Sequence, residues 1–293
     1  MTKGSEFNTQ YQDLPDIQET RDTRGIDIDR VGVTHVRYPL AVPLRAGGTI
    51  NTVASLSATV SLAREKKGTH MSRLMIAINN ESHRFRPDRL DDVLGEMLTL
   101  LDAREVMVEM EFPIFLTRAA PVTGIDGVLD YNCQYSAMLS VDGHRDKMVG
   151  VQASVTSCCP CSKEISRYGA HNQRSEVEIA VSPCRGAFIW FEDLIDIAEK
   201  SASSQLYPVL KRADEKYVTE RAYDNPKFVE DIVRDSAHEL LRRQEAETIS
   251  WFRVSVTNYE SIHNHDAFAQ IERGTRGLLL LHPEARGRIT VAQ

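Results

Sequence analysis

The chain has 293 residues, a formal net charge of -7, 42% hydrophobic residues and 26% charged residues. That length suits two ordinary domains or one domain built by duplication, with the composition of a soluble globular protein. The negative charge argues against a nucleic-acid partner, so any basicity that meets phosphate has to be local. No stretch approaches the roughly 20 apolar residues of a membrane helix, which argues against a membrane partner.

Residues 1–28 are rich in Asp, Glu, Thr and Gln, lack the apolar core of a secretory signal, and read as a flexible arm. Residues 31–44 and 52–62 read as strands. In the second, Ala54, Leu56, Ala58, Val60 and Leu62 alternate with serines and a threonine. A basic, glycine-bearing connection spans 64–73. Pro87 opens a helical pattern with Leu90, Val93, Leu94, Met97, Leu98 and Leu101 at spacings of three and four. Val106, Val108, Met110 and Phe112 mark a further strand.

The same grammar then returns. Tyr131, Cys133, Tyr135, Ala137 and Leu139 alternate and lead through Asp142-Gly143, a hairpin signal, to a strand at 148–155. Val177, Ile179 and Val181 form a short strand, helices are expected at 191–200 and 225–243, and 251–259 closes as a strand. The fold class expected is α+β: two similar modules of antiparallel sheet with helices on one face. Their bounds are 29–125 and 126–270, followed by a C-terminal tail, 271–293, loose after about His282.

Chemistry concentrates in residues 157–174. Three of the five cysteines, Cys158, Cys159 and Cys161, fall within four residues, and His171 follows Cys159 by twelve. An odd cysteine count clustered this tightly is no disulfide framework, so a reducing cytoplasm is the expected setting. Pro160 stiffens the turn between Cys159 and Cys161. Lys163, Arg167 and Arg174 suit an anionic substrate. A zinc knuckle needs four ligands at paired spacings, and no second pair exists. An incomplete thiolate set with one histidine fits a catalytic metal that keeps a position for water. Cys133 reads as core, Cys184 stands alone, and Cys158 reads as packing.

His171 is a candidate ligand or acid/base group. His263 and His265 are alternate residues of one segment and can point to one site, against the alternative of an exposed loop. The charge runs carrying Glu215, Glu220 and Glu230 are ordinarily solvated faces, though Glu230 borders an apolar stripe near a helix start. The loop from Gly68 to Arg73 holds His70 among polar neighbours.

Three motifs carry a resemblance. Cys159-Pro160-Cys161-Ser162-Lys163-Glu164 is followed by Gly169-Ala170-His171-Asn172-Gln173-Arg174; the others are Gly68-Thr69-His70-Met71-Ser72-Arg73 and Tyr259-Glu260-Ser261-Ile262-His263-Asn264-His265-Asp266. Together they resemble the prokaryotic type IB GTP cyclohydrolase family over about residues 30 to 270. The resemblance implies tandem tunnelling-fold modules and a homotetramer with sites at subunit interfaces. It implies metal-dependent conversion of GTP to formate and 7,8-dihydroneopterin triphosphate, the first step towards folate. It also implies Cys159, His171 and Glu215 as ligands of a divalent ion (zinc, manganese or iron), with Glu220 a near neighbour of the last. By the same likeness, Cys161 is a catalytic thiol that binds no metal, and His263 and His265 serve the sugar rearrangement as acid/base groups or orient a ligand. Glu230 anchors guanine through N1–H and N2–H, and His70 belongs with the substrate. Arg73, Lys163, Arg174, Lys211 and Arg212 are triphosphate candidates.

Two rivals stand beside this expectation. One is the tunnelling-fold nitrile reductase of queuosine biosynthesis, against which the Cys-Pro-Cys run and His171 argue. The other is a non-enzymatic zinc or thiol-redox protein.

Overall fold

The structure, a computed structural model, describes residues 15–80, 90–275 and 277. Two long strands open it, β1 (Ile28–Pro43) and β2 (Thr49–Leu62). Their turn carries Gly47 and Gly48, both at positive φ, where the absence of a Cβ removes the steric penalty. Helices α1 (Met71–Asn80) and α2 (Leu90–Leu101) lead to β3 (Glu105–Ala119) and β4 (Asp126–Ser140). Next come β5 (Arg145–Cys158), the short α3 (Pro160–Ile165), β6 (Asn172–Pro183) and α4 (Phe191–Ser201). The two-residue β7 (Ser204–Gln205), α5 (Arg212–Asp224), α6 (Val229–Glu245), β8 (Ile249–Asn258) and β9 (Ala267–Gly274) complete the order.

The strands form one antiparallel sheet in the order β1-β2-β3-β4-β5-β6-β8-β9, with β7 paired to the far end of β5. Period-two alternation puts Leu56, Val108, Ala137, Val151, Ile179 and Val254 on one face. Helices α2, α4 and α6 bury their apolar stripes against that face, joining Leu94, Met97, Ile195, Ile232 and Leu240 to a single core. The α+β expectation, with helices on one face of an antiparallel sheet, is borne out.

The element order runs twice. β1-β2-α1-α2-β3-β4 is followed by β5-β6-α4-α6-β8-β9, with α3, β7 and α5 inserted in the second half. This repeat divides at the β4–β5 hairpin, where Asp142-Gly143 makes the turn and Gly143 has φ +86. The boundary expected from sequence, 125/126, falls one strand earlier, at the start of β4. β3 and β4 pair from Glu105↔Ser140 to Ala119↔Asp126, so the sheet passes unbroken through both places.

Several elements differ from expectation. The connection at 64–73 ends at His70, because Met71 already starts α1, so Arg73 is helical. Pro87 lies outside the described residues, and α2 is described from Leu90. The helix expected from 225 begins at Val229, where the Asp231 carboxylate accepts the Phe228 N–H at 2.9 Å. β9 takes residues 271–274 from the expected tail, whereas His282 and beyond lie outside the described residues. The part of the arm that is described is held down. Gln18 Nε2 donates to the Thr69 carbonyl at 2.9 Å, and Arg21 bridges to Lys66.

One buried charge gives a stability prediction. Glu199, on α4, is buried beneath the end of β3. It meets Arg118 Nη2 at 3.0 Å and accepts from the Tyr131 hydroxyl. Burial pushes both the Glu199 carboxyl and the Tyr131 phenol up, and Arg118 opposes the shift. Arg118→Met strands Glu199 without its cation and is expected to cost about 3–5 kcal/mol in urea unfolding. A loss under about 1 kcal/mol, as for an exposed pair, would mean that Glu199 reaches water.

Candidate active site

β5 runs out at the buried Cys158, and Cys159 becomes the N-cap of α3, its Sγ accepting the Ser162 N–H at 3.4 Å. Pro160 occupies the first turn, where its missing N–H costs nothing. The eleven residues between Cys159 and His171 are closed off at their base. Cys159 N–H donates to the His171 carbonyl at 3.1 Å. Ser162 Oγ donates to the Cys159 carbonyl and accepts the His171 N–H, each at 3.2 Å. The loop therefore holds Cys159 and His171 side by side.

Around them the second half of the chain adds polar groups. His171 Nδ1 meets Gln173 Oε1 at 2.9 Å and stands 4.0 Å from Glu260 Oε2. The His171 side chain is 13% exposed and that of Glu260 is 11% exposed, so this contact is largely shielded from water. The His263 ring meets His171 edge-on at 6.4 Å and stacks on His265 at 5.1 Å. A cavity of about 230 Å³ opens beside this group, with Cys159, Gln173, Lys227, Glu230, Asn258 and Glu260 in its wall. Lys227 N–H donates to the Cys158 carbonyl at 2.9 Å, which ties the entry of α6 to the cysteine motif.

The remaining candidates distribute unevenly. Cys161 is exposed on α3. Lys163 gives its Nζ to the Tyr223 carbonyl and lies 4.4 Å from the Tyr223 ring centre. Arg174 is exposed on β6, and Lys211 and Arg212 are exposed at the start of α5. Glu215 is exposed on α5, and Glu220 pairs with Lys216 at 3.5 Å. Among the described residues, Cys159, His171 and Glu215 do not bring ligand atoms within 4.8 Å of one another.

His70 and Arg73 are elsewhere. Val60, Val106, Leu139 and Arg145 are register partners in sequence across β2 to β5 and mark one end of the sheet. The Cys158↔Asn172 pair marks the other. His70 and Arg73 follow β2 at the first end. There His70 Nε2 lies 3.4 Å from Asp16 and 3.7 Å from Glu19, and Arg73 lies 3.5 Å from Glu19.

Residues 14–269 match the family model described as type I GTP cyclohydrolase folE2. The chain belongs to that family. Relatives named GTP cyclohydrolase FolE2 include one from Magnetococcus marinus, 46% identical over 263 residues, covering 90% of this chain and 97% of that one. One from a Geobacter species is 47% identical over 260 residues, covering 89% and 95%. One from Fervidobacterium nodosum is 45% identical over 256 residues, covering 87% and 96%. Among solved structures, a highly active mutant of Bacillus sp. TB-90 urate oxidase superposes with a TM-score of 0.51 at 11% identity, covering 85% of this chain and all of that one. At that identity the likeness is one of fold, the tunnelling fold. Among the described residues, no helix is long and apolar enough to cross a membrane.

In this FolE2-family chain two further residues belong to the site, Gln173 and Glu260. Gln173 is the second residue of β6, and its amide meets the ring of His171, which stands just before the strand. Glu260 follows the last residue of β8 by two, in the same motif as His263 and His265.

α5, which carries Glu215, is pinned by Asp214. This buried carboxylate accepts the Val122, Thr123 and Lys211 N–H groups at 2.9 Å each and the Thr123 hydroxyl at 2.7 Å. Burial alone would raise its pKa, but these donors outweigh it and hold the carboxyl well below the usual range. A depressed pKa stabilises the fold above the unfolded value and loses that contribution as pH falls. Asp214→Ala should therefore melt below the wild type at pH 7, with the gap narrowing below about pH 4. A gap constant from pH 7 to about pH 2.5 would show that charge plays no part.

Proposed function

We propose that this chain is a GTP cyclohydrolase of the prokaryotic type IB kind. It would convert GTP and water to formate and 7,8-dihydroneopterin triphosphate, the first step of folate biosynthesis, in the cytoplasm. The observation that carries this reading is the closure of Cys159 onto His171 beside a cavity walled by Glu230 and Glu260. It occurs in a chain 45–47% identical to proteins named GTP cyclohydrolase FolE2.

The donor chemistry at this end of the sheet fits a divalent metal: a thiol, an imidazole with one nitrogen already engaged, and carboxylates suit Zn²⁺, Mn²⁺ or Fe²⁺. Cys159 and His171 would hold it together with a carboxylate. Glu215 has that role by resemblance; Glu260 lies on the Nδ1 side of the His171 ring, 4.0 Å from that nitrogen. A divalent ion bound there supplies a Lewis acid that lowers the pKa of water towards about 7, as attack on C8 of guanine requires.

The chain's own groups do the rest. Glu230 accepts N1–H and N2–H of guanine and orients the ring. Cys161, exposed on α3, carries a proton during ring opening. The stacked His263 and His265 exchange protons with the sugar as it rearranges. Lys163, Arg174, Lys211 and Arg212 meet the triphosphate. His70 and Arg73 lie at the opposite end of the sheet in one chain, so their share in the site requires a second subunit. That need supports a homotetramer with sites at subunit interfaces.

The test is formate release from GTP by protein stripped with a chelator and reloaded with Zn²⁺, Mn²⁺ or Fe²⁺ in turn. Formate together with a fluorescent oxidised pterin is expected with at least one ion. No formate with any ion, from protein whose mass in solution is tetrameric, would overturn the reading. NADPH oxidation with a deazaguanine nitrile would then be the next assay.

A further inference from the structure

The core-facing rows of three neighbouring strands change character at one end. On β5 the row Val149, Val151, Ala153, Val155 ends in Ser157. On β6 the row Val181, Ile179, Val177 ends in Ser175 and Gln173. On β8 the row Phe252, Val254, Val256 ends in Asn258. Ser157 is the register partner of Gln173, and Ser175 is that of Asn258. All four polar side chains are buried: Ser157 and Ser175 at 0%, Asn258 at 3% and Gln173 at 7%. Polar groups placed there in preference to apolar ones destabilise the core unless every one is paired.

They are paired in one chain with a direction. Asn258 Oδ1 can only accept, and Ser175 Oγ lies 2.6 Å from it, so the single hydroxyl proton of Ser175 is spent there. The 2.9 Å contact between Ser175 and Ser157 is then donated by Ser157. Ser157 in turn accepts from Gln173 Nε2 at 2.8 Å. Gln173 Oε1, left as an acceptor, lies 2.9 Å from His171 Nδ1. With Gln173 turned this way, its Oε1 calls for a proton on the His171 Nδ1 that faces it.

We propose that Gln173, Ser157, Ser175 and Asn258 form a positioning relay that holds His171 in the Nδ1–H tautomer and presents Nε2 to a metal ion. The metal half of this statement rests on the reading of His171 as a ligand given above; the tautomer half does not. A histidine whose second nitrogen is held binds metal without first paying for orientation, and losing such a partner typically weakens binding about ten- to hundredfold. The relay acts through His171; because Gln173 and Asn258 also reach the cavity wall, metal affinity rather than turnover is the readout.

Two measurements on the full-length protein test it. Long-range proton–nitrogen NMR of the metal-free protein, with His171 assigned by its loss in His171→Ala, should find Nδ1 protonated and Nε2 bare. Turning both amides over would reverse every donor in the chain and protonate Nε2, so that result would overturn the proposal. Zn²⁺ affinity, measured by competition with a chromophoric chelator, should fall about ten- to hundredfold in Gln173→Met and Ser175→Ala. Wild-type affinity in both Gln173→Met and Ser175→Ala would sink the relay. If Gln173→Met does not fold, Ser175→Ala and the wild-type spectrum decide. Undiminished Zn²⁺ affinity in His171→Ala is a different failure, that of the ligand assignment itself.

Discussion

Cys161→Ala is expected to abolish formate release while the protein keeps most of its metal, whereas Cys159→Ala should lose both. The two thiols are one residue apart in sequence, yet the fold treats them differently. Cys159 is the N-cap of α3, its backbone is bonded to His171, and it lines the cavity with Glu230 and Glu260. Cys161 stands exposed on the helix itself. A group that only exchanges a proton with the substrate contributes about 10²- to 10⁴-fold to rate and nothing to metal content. Formate assays paired with elemental analysis of each variant separate the two roles. Equal metal loss in both would make Cys161 a ligand. Cys158→Ala is the control. That thiol is buried, burial pushes its pKa up, and its backbone N–H is taken by Ser203 Oγ at 3.0 Å, so turnover should survive.

Fold class was legible in the sequence because burial imposes periods. Leu56, Val108 and Val151 announce strands by alternation, and Leu94 and Met97 announce a helix by spacing. Elements whose packing leaves no period went unread. α5 is polar nearly all round, with only Asp214 and Ala222 buried, and what holds it is a set of hydrogen bonds from the β3–β4 turn. α3 has six residues and no buried side chain, and it depends on Cys159 and Ser162 for its closure. β9 leaves its residues half-buried or exposed at the sheet edge, so no apolar run betrays it.

The candidate site divides along the same line. Cys159 and His171 announced themselves by residue type and spacing, and His263 and His265 by alternation. Gln173, Ser157, Ser175 and Asn258 did not, since each is an ordinary polar residue in its own strand. Only the register of β5, β6 and β8 assembles them. His70 and Arg73 were readable as a motif, but their place at the far end of the sheet is a fact of topology. No local pattern around Gly68 reports which end β2 finishes at.

Glu230→Gln is expected to lower kcat/KM for GTP about a hundred- to thousandfold, or about 3–4 kcal/mol of transition-state stabilisation. α6 presents this residue because Val229, Ile232 and Val233 are buried, which leaves Glu230 on the outer side of the first turn at the cavity wall. A carboxylate offers two acceptors to the two N–H groups on the guanine edge, and the pairing is charge-assisted. The amide keeps the shape but replaces one acceptor with a donor, so one guanine N–H faces another N–H. The same geometry predicts how selectivity changes. Inosine triphosphate lacks the N2 amine, so the wild type should prefer GTP strongly, and Glu230→Gln should lose most of that preference. Measuring kcat/KM for both nucleotides in both proteins isolates the contact from any general damage, which would lower both alike. An unchanged GTP-to-ITP ratio in the variant would take guanine recognition away from Glu230.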